Sequence, residues 1–183
     1  MSPRPWTETR RHRLAQWYVF DVQVAHRISP RTGKELGFFL IDTRDWVNVV
    51  AETRSGEIVL VHQFRHGPAA PTLEIPGGAI EVGEDPAVAA VRELREETGF
   101  ASGQQPILLG AVNPNPALFM NRCYSYLLRG CERVGEPEPD PGEDFEVVTL
   151  PLDEVERRVR DGSIDHALVL CALYFLRLRE GDR

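Results

Sequence analysis

The chain has 183 residues, of which 42% are apolar and 27% are charged, and its formal net charge is −7. This length suits one domain with a substantial core, and the composition is typical of a soluble globular protein rather than a disordered or fibrous one. The acidic balance argues against nucleic acid as the main partner, because such binding depends on basic side chains that neutralise phosphates.

The chain carries no signal for a membrane or for secretion. No segment approaches the roughly 20 apolar residues of a membrane span, and the arginine-rich stretch 1–16 lacks the apolar core of a secretory signal. Three cysteines without CxxC spacing indicate neither a disulfide framework nor a zinc site. We therefore expect a cytoplasmic protein with no membrane association.

The first half of the chain is predicted to form β-hairpins. Segments rich in β-branched and aromatic residues flank two turn signals, at 29–33 and 54–56. The predicted strands are 17–28, 35–42, 46–53 and 57–65. A short strand at 73–75 then runs into Pro76, Gly77 and Gly78.

The second half contains the strongest helix signal. Asp85 is predicted as the N-cap of a helix over 86–98, with Pro86 in its first position and Gly99 after its last turn. The later segments are predicted as strands at 107–112, 122–128 and 145–150, a loop at 131–144, and helices at 153–160 and 165–180. Strands of one sheet with a central and two C-terminal helices indicate a layered α/β architecture.

Three carboxylates border the apolar face of the helix 86–98. Glu93, Glu96 and Glu97 are spaced i, i+3, i+4, so their side chains converge beside the arc that holds Leu94. Like charges at this spacing repel one another. A hard divalent cation relieves this repulsion, because Mg²⁺ and Mn²⁺ prefer carboxylate oxygens. An exposed helix with intrahelical ion pairs to Arg92 and Arg95 is the alternative, and the helix alone favours neither.

The residues around this helix carry a specific motif. From Gly78 to Phe100 the sequence reads G-x5-E-x7-R-E-L-x-E-E-x-G-F, with nine constrained positions in 23 residues. This pattern resembles the signature of the Nudix hydrolase superfamily, whose members cleave nucleoside diphosphates linked to another moiety on an α/β/α sandwich with a mixed sheet. The resemblance favours the metal site over the solvated helix.

The resemblance also implies roles for individual residues. Glu93, Glu96 and Glu97 are expected to be catalytic and to bind Mg²⁺, with Mn²⁺ as the alternative, and the backbone carbonyl of Gly77 is expected to be a further ligand. Arg92 is expected to orient the carboxylates by pairing with Glu84 or Glu96. The metal would polarise the pyrophosphate and lower the pKa of the attacking water.

Outside the motif, the chain is similar to ADP-ribose pyrophosphatases and related nucleotide-sugar hydrolases. The segment from Val61 to Gly78, the proline at 116 and the sequence 162–167 carry this similarity. It implies that Arg65, Glu74 and Pro116 bind substrate, with contact of Arg65 to the metal-site carboxylates as the alternative. Glu143 is expected to be the catalytic acid of the loop, with Glu138 and Asp140 as weaker candidates. Ala117 stands where many members have glycine, so ADP-ribose remains one alternative among related nucleoside diphosphate sugars.

The same similarity implies a division of the chain and a homodimer. Residues 1–42 are expected to form a strand pair used in dimerisation and base binding, and 43–183 the catalytic domain. Two other functions remain open, namely a nucleoside triphosphate housecleaning hydrolase and a nucleotide sensor without turnover. Retention of Glu96 and Glu97 favours catalysis over sensing.

Histidine and tryptophan residues are interpreted mainly as structural. His62 and His66 share a face without a carboxylate pattern that would indicate a metal, and His166 is interpreted as a local hydrogen-bonding residue at the start of the last helix. Trp6, Trp17 and Trp46 could stack on a base, but packing is the favoured role.

Overall fold

The structure is a computed structural model that describes residues 3–139 and 144–181. The strands are β1 (Thr7–Gln16), β2 (Phe20–Ile28), β3 (Glu35–Thr43), β4 (Trp46–Thr53), β5 (Glu57–Arg65), β6 (Ala70–Glu74), β7 (Gly77–Ala79), β8 (Phe100–Ala101), β9 (Ile107–Val112), β10 (Cys123–Arg133) and β11 (Phe145–Pro151). The helices are α1 (Pro86–Thr98), α2 (Leu152–Arg160) and α3 (Ala167–Gly181). No helix within the described ranges is both long and apolar enough to cross a membrane.

The chain divides into two compact units. The first consists of the described residues up to Arg44 together with Asn113–Arg122, and it contains an antiparallel sheet in the order β1-β2-β3. The predicted hairpin of β2 and β3 is confirmed by continuous pairing from Phe20↔Thr43 to Ile28↔Glu35. β2 begins at Phe20 rather than at residue 17. β1 was not predicted, because nearly all its side chains are exposed and its sequence shows no alternation of apolar and polar residues.

The segment Asn113–Arg122 extends the first unit. The backbone N–H of Ile41 donates to the carbonyl of Leu118 at 2.9 Å, and the N–H of Met120 donates to the carbonyl of Ile41 at 3.0 Å. Pro116 lies in the turn before these bonds, where the carbonyl of Asn115 accepts from the N–H groups of Leu118 and Phe119.

The second unit is a mixed sheet in the order β11-β5-β4-β10-β8, with β6 paired to β5, β7 to β4 and β9 to β10. β4 and β10 are parallel, and their neighbours pair antiparallel. Successive residues of a strand face opposite sides of a sheet. Val49 accordingly packs in the cluster that includes Leu94 of α1, whereas Val50 packs with Val155 of α2 and Val169 of α3. The predicted α/β/α sandwich is therefore confirmed.

Two predicted boundaries of this unit were wrong for the same reason. β10 continues to Arg133 instead of ending at residue 128, so the following loop begins at Val134 rather than at residue 131. The C-terminal end of β10 is extended by the pairing of Cys131 with Thr53 and of Arg133 with Phe100. The short strand predicted at 73–75 is the end of β6, which begins at Ala70 because its pairing with β5 starts there. The ends of these two strands therefore depend on pairing with distant residues, which the local residue types do not indicate.

Helix α1 occupies the predicted range and has the predicted caps. The Asp85 side chain accepts from the N–H of Ala87 at 2.8 Å, and Pro86 occupies the first turn. Gly99 ends the helix with φ of 69°, a left-handed conformation that favours glycine. A Cβ on Gly99 would also lie 2.2 Å from the carbonyl oxygen of Gly135. Both caps hold the last two turns of α1, which carry the glutamates, in a defined position.

Candidate active site

The three glutamates of α1 differ in burial. Glu97 is only 8% exposed, and the carboxylate side chain of Glu93 is 13% exposed, whereas that of Glu96 is 47% exposed. Burial of ionised groups is costly unless charge or hydrogen bonds compensate it. Glu93 and Glu97 therefore do not belong to a solvated helix face, and only Glu96 at the rim resembles one.

The backbone of β7 lies directly against these carboxylates. The N–H of Gly77 donates to Oε2 of Glu97 at 2.8 Å. A Cβ on Gly78 would lie 2.6 Å from the carboxylate atoms of Glu93, closer than any side chain tolerates. Glycine at 78 thus allows the strand to approach α1, and glycine at 77 allows it to pack against Val47 and Asn48 of β4. The backbone predicted to bind metal therefore lies beside two of the predicted ligands.

Arg92 holds three carboxylates at once. Its Nε and Nη2 donate to the two oxygens of Glu84 at 2.9 Å each, and its Nη1 donates to Glu93 at 2.8 Å and to Glu96 at 3.0 Å. These bonds raise the pKa of the Arg92 guanidinium, and the same pairing with Arg92 lowers the pKa of Glu84. The sequence predicted pairing with Glu84 or Glu96, and the geometry includes both.

The charge balance of this cluster favours a cation. Four carboxylates (Glu84, Glu93, Glu96 and Glu97) and one guanidinium carry a formal charge of −3. No three side chains of His, Cys, Asp or Glu among the described residues are already arranged around one metal position. The oxygens of Glu93 and Glu97 beside the Gly77 backbone are nevertheless the donor type that Mg²⁺ and Mn²⁺ prefer, so these residues fit such an ion.

A second charged cluster lies on the hairpin of β5 and β6. Arg65 donates from Nε and Nη2 to the two oxygens of Glu74 at 2.9 Å each, and the Thr72 hydroxyl donates to Glu74 at 2.7 Å. The Glu74 side chain is 3% exposed and that of Arg65 is 45% exposed. Burial opposes ionisation of Glu74, yet the bonds from Arg65 and Thr72 hold its pKa below the ordinary value. Glu74 therefore orients Arg65, whose guanidinium remains accessible.

The second cluster borders a cavity of about 560 Å³. Its lining includes Arg65 and Glu74, the backbone of Gly77 and Gly78, and residues at the start of α3. The cavity thus connects the predicted substrate-binding pair to the strand that contacts the metal-site carboxylates.

The remaining predicted residues are Pro116, Glu138, Asp140 and Glu143. Pro116 belongs to the first unit, in the segment paired with Ile41. Glu143 and Asp140 lie outside the described residues. The backbone N–H of Glu138 donates to the carbonyl of Glu96 at 2.7 Å, so Glu138 lies against the end of α1.

Two polar residues of the cavity were not recognised as site residues from the sequence. Asn48 lies on β4, and His166, which was interpreted as a local hydrogen-bonding residue, precedes α3. The backbone carbonyl of His166 does accept from Leu170 at 3.1 Å, but its imidazole Nε2 lies 3.9 Å from Glu74. No motif joins positions 118 residues apart, so only the fold shows that they share a cavity.

Comparison with known proteins agrees with this geometry. The sequence model of the NUDIX domain matches residues 42–172. An ADP-ribose pyrophosphatase of Bacillus subtilis is 31% identical over 164 residues, which cover 89% of this chain and 85% of the relative. A methanol dehydrogenase activator of Bacillus methanolicus is 32% identical over 135 residues, covering 73% and 72%. A crystal structure of an ADP compounds hydrolase superposes with a TM-score of 0.87 at 22% identity, covering 100% of this chain and 98% of the other.

Proposed function

The chain belongs to the Nudix family as a hydrolase of the ADP-ribose pyrophosphatase type, and from that premise we propose that it cleaves ADP-ribose or a related nucleoside diphosphate sugar with the help of a divalent metal. The products are a nucleoside monophosphate and a sugar phosphate. The observation that carries the proposal is the contact of the Gly77-Gly78 backbone with the carboxylates of Glu97 and Glu93, next to the Arg65–Glu74 pair.

The proposed roles follow from burial and hydrogen bonding. Glu93, Glu97 and the Gly77 carbonyl bind Mg²⁺, with Mn²⁺ as the alternative, and the more exposed Glu96 is a further ligand or accepts a proton from water. When bound, the metal polarises pyrophosphate oxygens and lowers the pKa of the attacking water. Arg92 holds Glu93 and Glu96 in position. Glu143 is the proposed acid of the loop.

Substrate binding is assigned to groups that suit an anionic phosphate. Arg65 keeps part of its guanidinium accessible while Glu74 fixes its plane, so it donates hydrogen bonds to phosphate oxygens without a large loss of side-chain freedom. Pro116, in the turn where the carbonyl of Asn115 accepts two hydrogen bonds, is proposed to contact substrate.

The proposed assembly is a homodimer formed through the N-terminal strands, which also contribute to base binding, and the proposed location is the cytoplasm. The free cysteines at 123, 131 and 171 agree with a reducing compartment. Sedimentation of the full-length chain is expected to give the mass of a dimer, and a monomer at micromolar concentration would contradict this assignment.

A substrate panel tests the function. Purified protein with Mg²⁺ or Mn²⁺ is assayed against ADP-ribose, ADP-glucose, GDP-mannose, NADH and nucleoside triphosphates, with a chelator as the control. The highest kcat/KM is expected for an ADP sugar, and activity should disappear with the chelator. Preference for a triphosphate would favour a housecleaning hydrolase, and binding without turnover would favour a sensor.

A further inference from the structure

The cavity beside the Arg65–Glu74 pair is lined in part by β4, β10 and α3. This part, here called the inner cavity, is formed by Trp46 and Asn48 of β4, by Cys123 of β10 and by Val169 of α3. Even-numbered residues of β4 face α3, because Val50 packs with α3 whereas Val47 and Val49 pack with α1. This inner part therefore lies between the sheet and α3 and is mainly apolar.

Asn48 contributes an unsatisfied acceptor to this space. The residue is only 7% exposed, and its Nδ2 donates to the carbonyl of Leu168 at 3.1 Å. That bond fixes the amide orientation, so Oδ1 is the atom left over, and it has no hydrogen-bond partner among the described residues. A buried polar atom without a partner costs free energy, and a donor supplied by a ligand recovers it.

His166 contributes a second acceptor. Its Nε2 lies 3.9 Å from Oε2 of Glu74, whose ionised state is maintained by Arg65 and Thr72. A neighbouring carboxylate favours the tautomer with the proton on Nε2, which makes Nδ1 an acceptor. Nδ1 is buried and lacks a partner within the described part of the chain.

Two acceptors on an apolar wall select a particular ligand chemistry. The nearby Glu74 carboxylate and both lone pairs repel an anion, whereas hydroxyl groups donate to them and the C–H face of a sugar ring packs on Trp46. We propose that this inner cavity binds the hydroxyl-bearing sugar of the substrate, with Asn48 and His166 as its specificity-determining residues. The assignment rests on the proposed function, because the phosphate attached to this sugar must reach Arg65 and the metal-site carboxylates.

Product inhibition distinguishes the sugar from the base. Ribose 5-phosphate carries the sugar and AMP carries the base, so each is used as an inhibitor of ADP-ribose hydrolysis. Asn48→Leu removes the acceptor at similar volume and is expected to raise the inhibition constant of ribose 5-phosphate roughly 3- to 10-fold. The inhibition constant of AMP is expected to stay within about twofold.

Asn121 offers a matched control. It is 3% exposed, its Nδ2 donates to the carbonyl of Arg44 at 3.0 Å, and its Oδ1 also has no partner in the described part of the chain, but it does not line the cavity. Asn121→Leu should therefore lower thermal stability as much as Asn48→Leu does and leave both inhibition constants unchanged.

A pair of substitutions at 166 provides an independent test. His166→Asn keeps a polar atom near the position of Nδ1, whereas His166→Gln keeps one near Nε2. The first should retain most of the affinity for ribose 5-phosphate, and the second should weaken it roughly 3- to 10-fold.

Each failure has a distinct meaning. Unchanged ribose 5-phosphate inhibition in both Asn48→Leu and His166→Gln, in an enzyme that still hydrolyses ADP-ribose, would overturn the sugar site and leave the proposed function intact. A rise confined to AMP would also overturn it, because the base would then occupy the cavity. Absence of hydrolysis of every ADP sugar by the parent protein would instead overturn the proposed function.

Discussion

Arg92 and Arg65 each hold a carboxylate through paired hydrogen bonds, but the two clusters contain different numbers of carboxylates. Arg92 is shared by three carboxylates with a fourth beside them, whereas the paired hydrogen bonds of Arg65 go to the single carboxylate of Glu74. The excess of acid around Arg92 favours a divalent cation, whereas the Arg65 guanidinium, which Glu74 orients and which is 45% exposed, favours an anion. We therefore base the ligand proposed for each cluster on the number of carboxylates around its arginine, rather than on the presence of the pair.

Glu97→Gln should have the largest effect on the first cluster. The amide oxygen still accepts from the N–H of Gly77, so the fold should survive, but the charge that binds the metal is lost. We expect kcat with Mg²⁺ and ADP-ribose to fall roughly 10²- to 10³-fold. Glu156→Gln on the surface of α2 is the matched control and should keep parental activity. Parental activity in Glu97→Gln with an intact fold would refute the role of Glu97.

Gly78→Ala tests the approach of β7 to the same carboxylates. The new methyl group would lie 2.6 Å from the Glu93 carboxylate and must displace it. We expect kcat to fall roughly 10- to 100-fold, since an error of about 1 Å in a catalytic group has effects of this size. Gly103→Ala, where the methyl group meets open space, should be neutral. Equal kinetics of the two variants would show that the close approach at Gly78 has no role.

Arg92→Leu and Arg65→Leu compare the clusters directly. Each substitution leaves buried carboxylates without their arginine, and we expect each variant to lose about 2 kcal/mol of unfolding free energy. This is less than the loss expected for a fully buried ion pair, because Arg65 is partly exposed. Mg²⁺ should restore much of the loss in Arg92→Leu and little in Arg65→Leu, as measured by chemical denaturation. If Mg²⁺ stabilised both variants equally, the claim that only the Arg92 cluster binds a divalent cation would be contradicted.

Low pH should reduce the stabilising contribution of the Arg65–Glu74 cluster, with a smaller effect than the substitutions above. Burial opposes the shift, but Arg65 and Thr72 hold the pKa of Glu74 below its ordinary value of 4.5 in the folded protein. A carboxyl with a lower pKa in the folded state stabilises above its unfolded pKa, and this contribution is lost as pH falls through the folded pKa. The free energy of unfolding should therefore decline below about pH 4.5, and less steeply in Glu74→Gln. The same slope in both proteins would contradict this.

The parts of the fold that the sequence predicts well are those with local causes. Helix α1 has its predicted bounds because Asp85, Pro86 and Gly99 act on backbone groups within one turn. β7 and β8 have three and two residues, too few for a periodic pattern, and they exist because β4 and β10 offer them backbone partners. The parallel pairing of β4 with β10 joins distant segments, and no local signal indicates it.

The candidate site divides in the same way. The convergence of Glu93, Glu96 and Glu97 was predicted from their spacing on one helix. The Arg65–Glu74 contact was not predicted, because it depends on the pairing of β5 with β6. Asn48 and His166 carry no such signal, because an asparagine within an apolar strand and a histidine before a helix are common structural residues. Their buried atoms without a hydrogen-bond partner can be identified only in the tertiary structure, where β4, β6 and α3 line the same cavity.

The central claim is that the carboxylates of Glu93 and Glu97 form a divalent-cation site beside Gly77. Binding of Mn²⁺, measured by electron paramagnetic resonance without substrate, tests it independently of activity. The parent protein and Arg65→Leu should bind Mn²⁺ with equal affinity, whereas the double variant Glu93→Gln/Glu97→Gln should lose the bound ion while remaining folded. Undiminished Mn²⁺ binding by the folded double variant would contradict the claim.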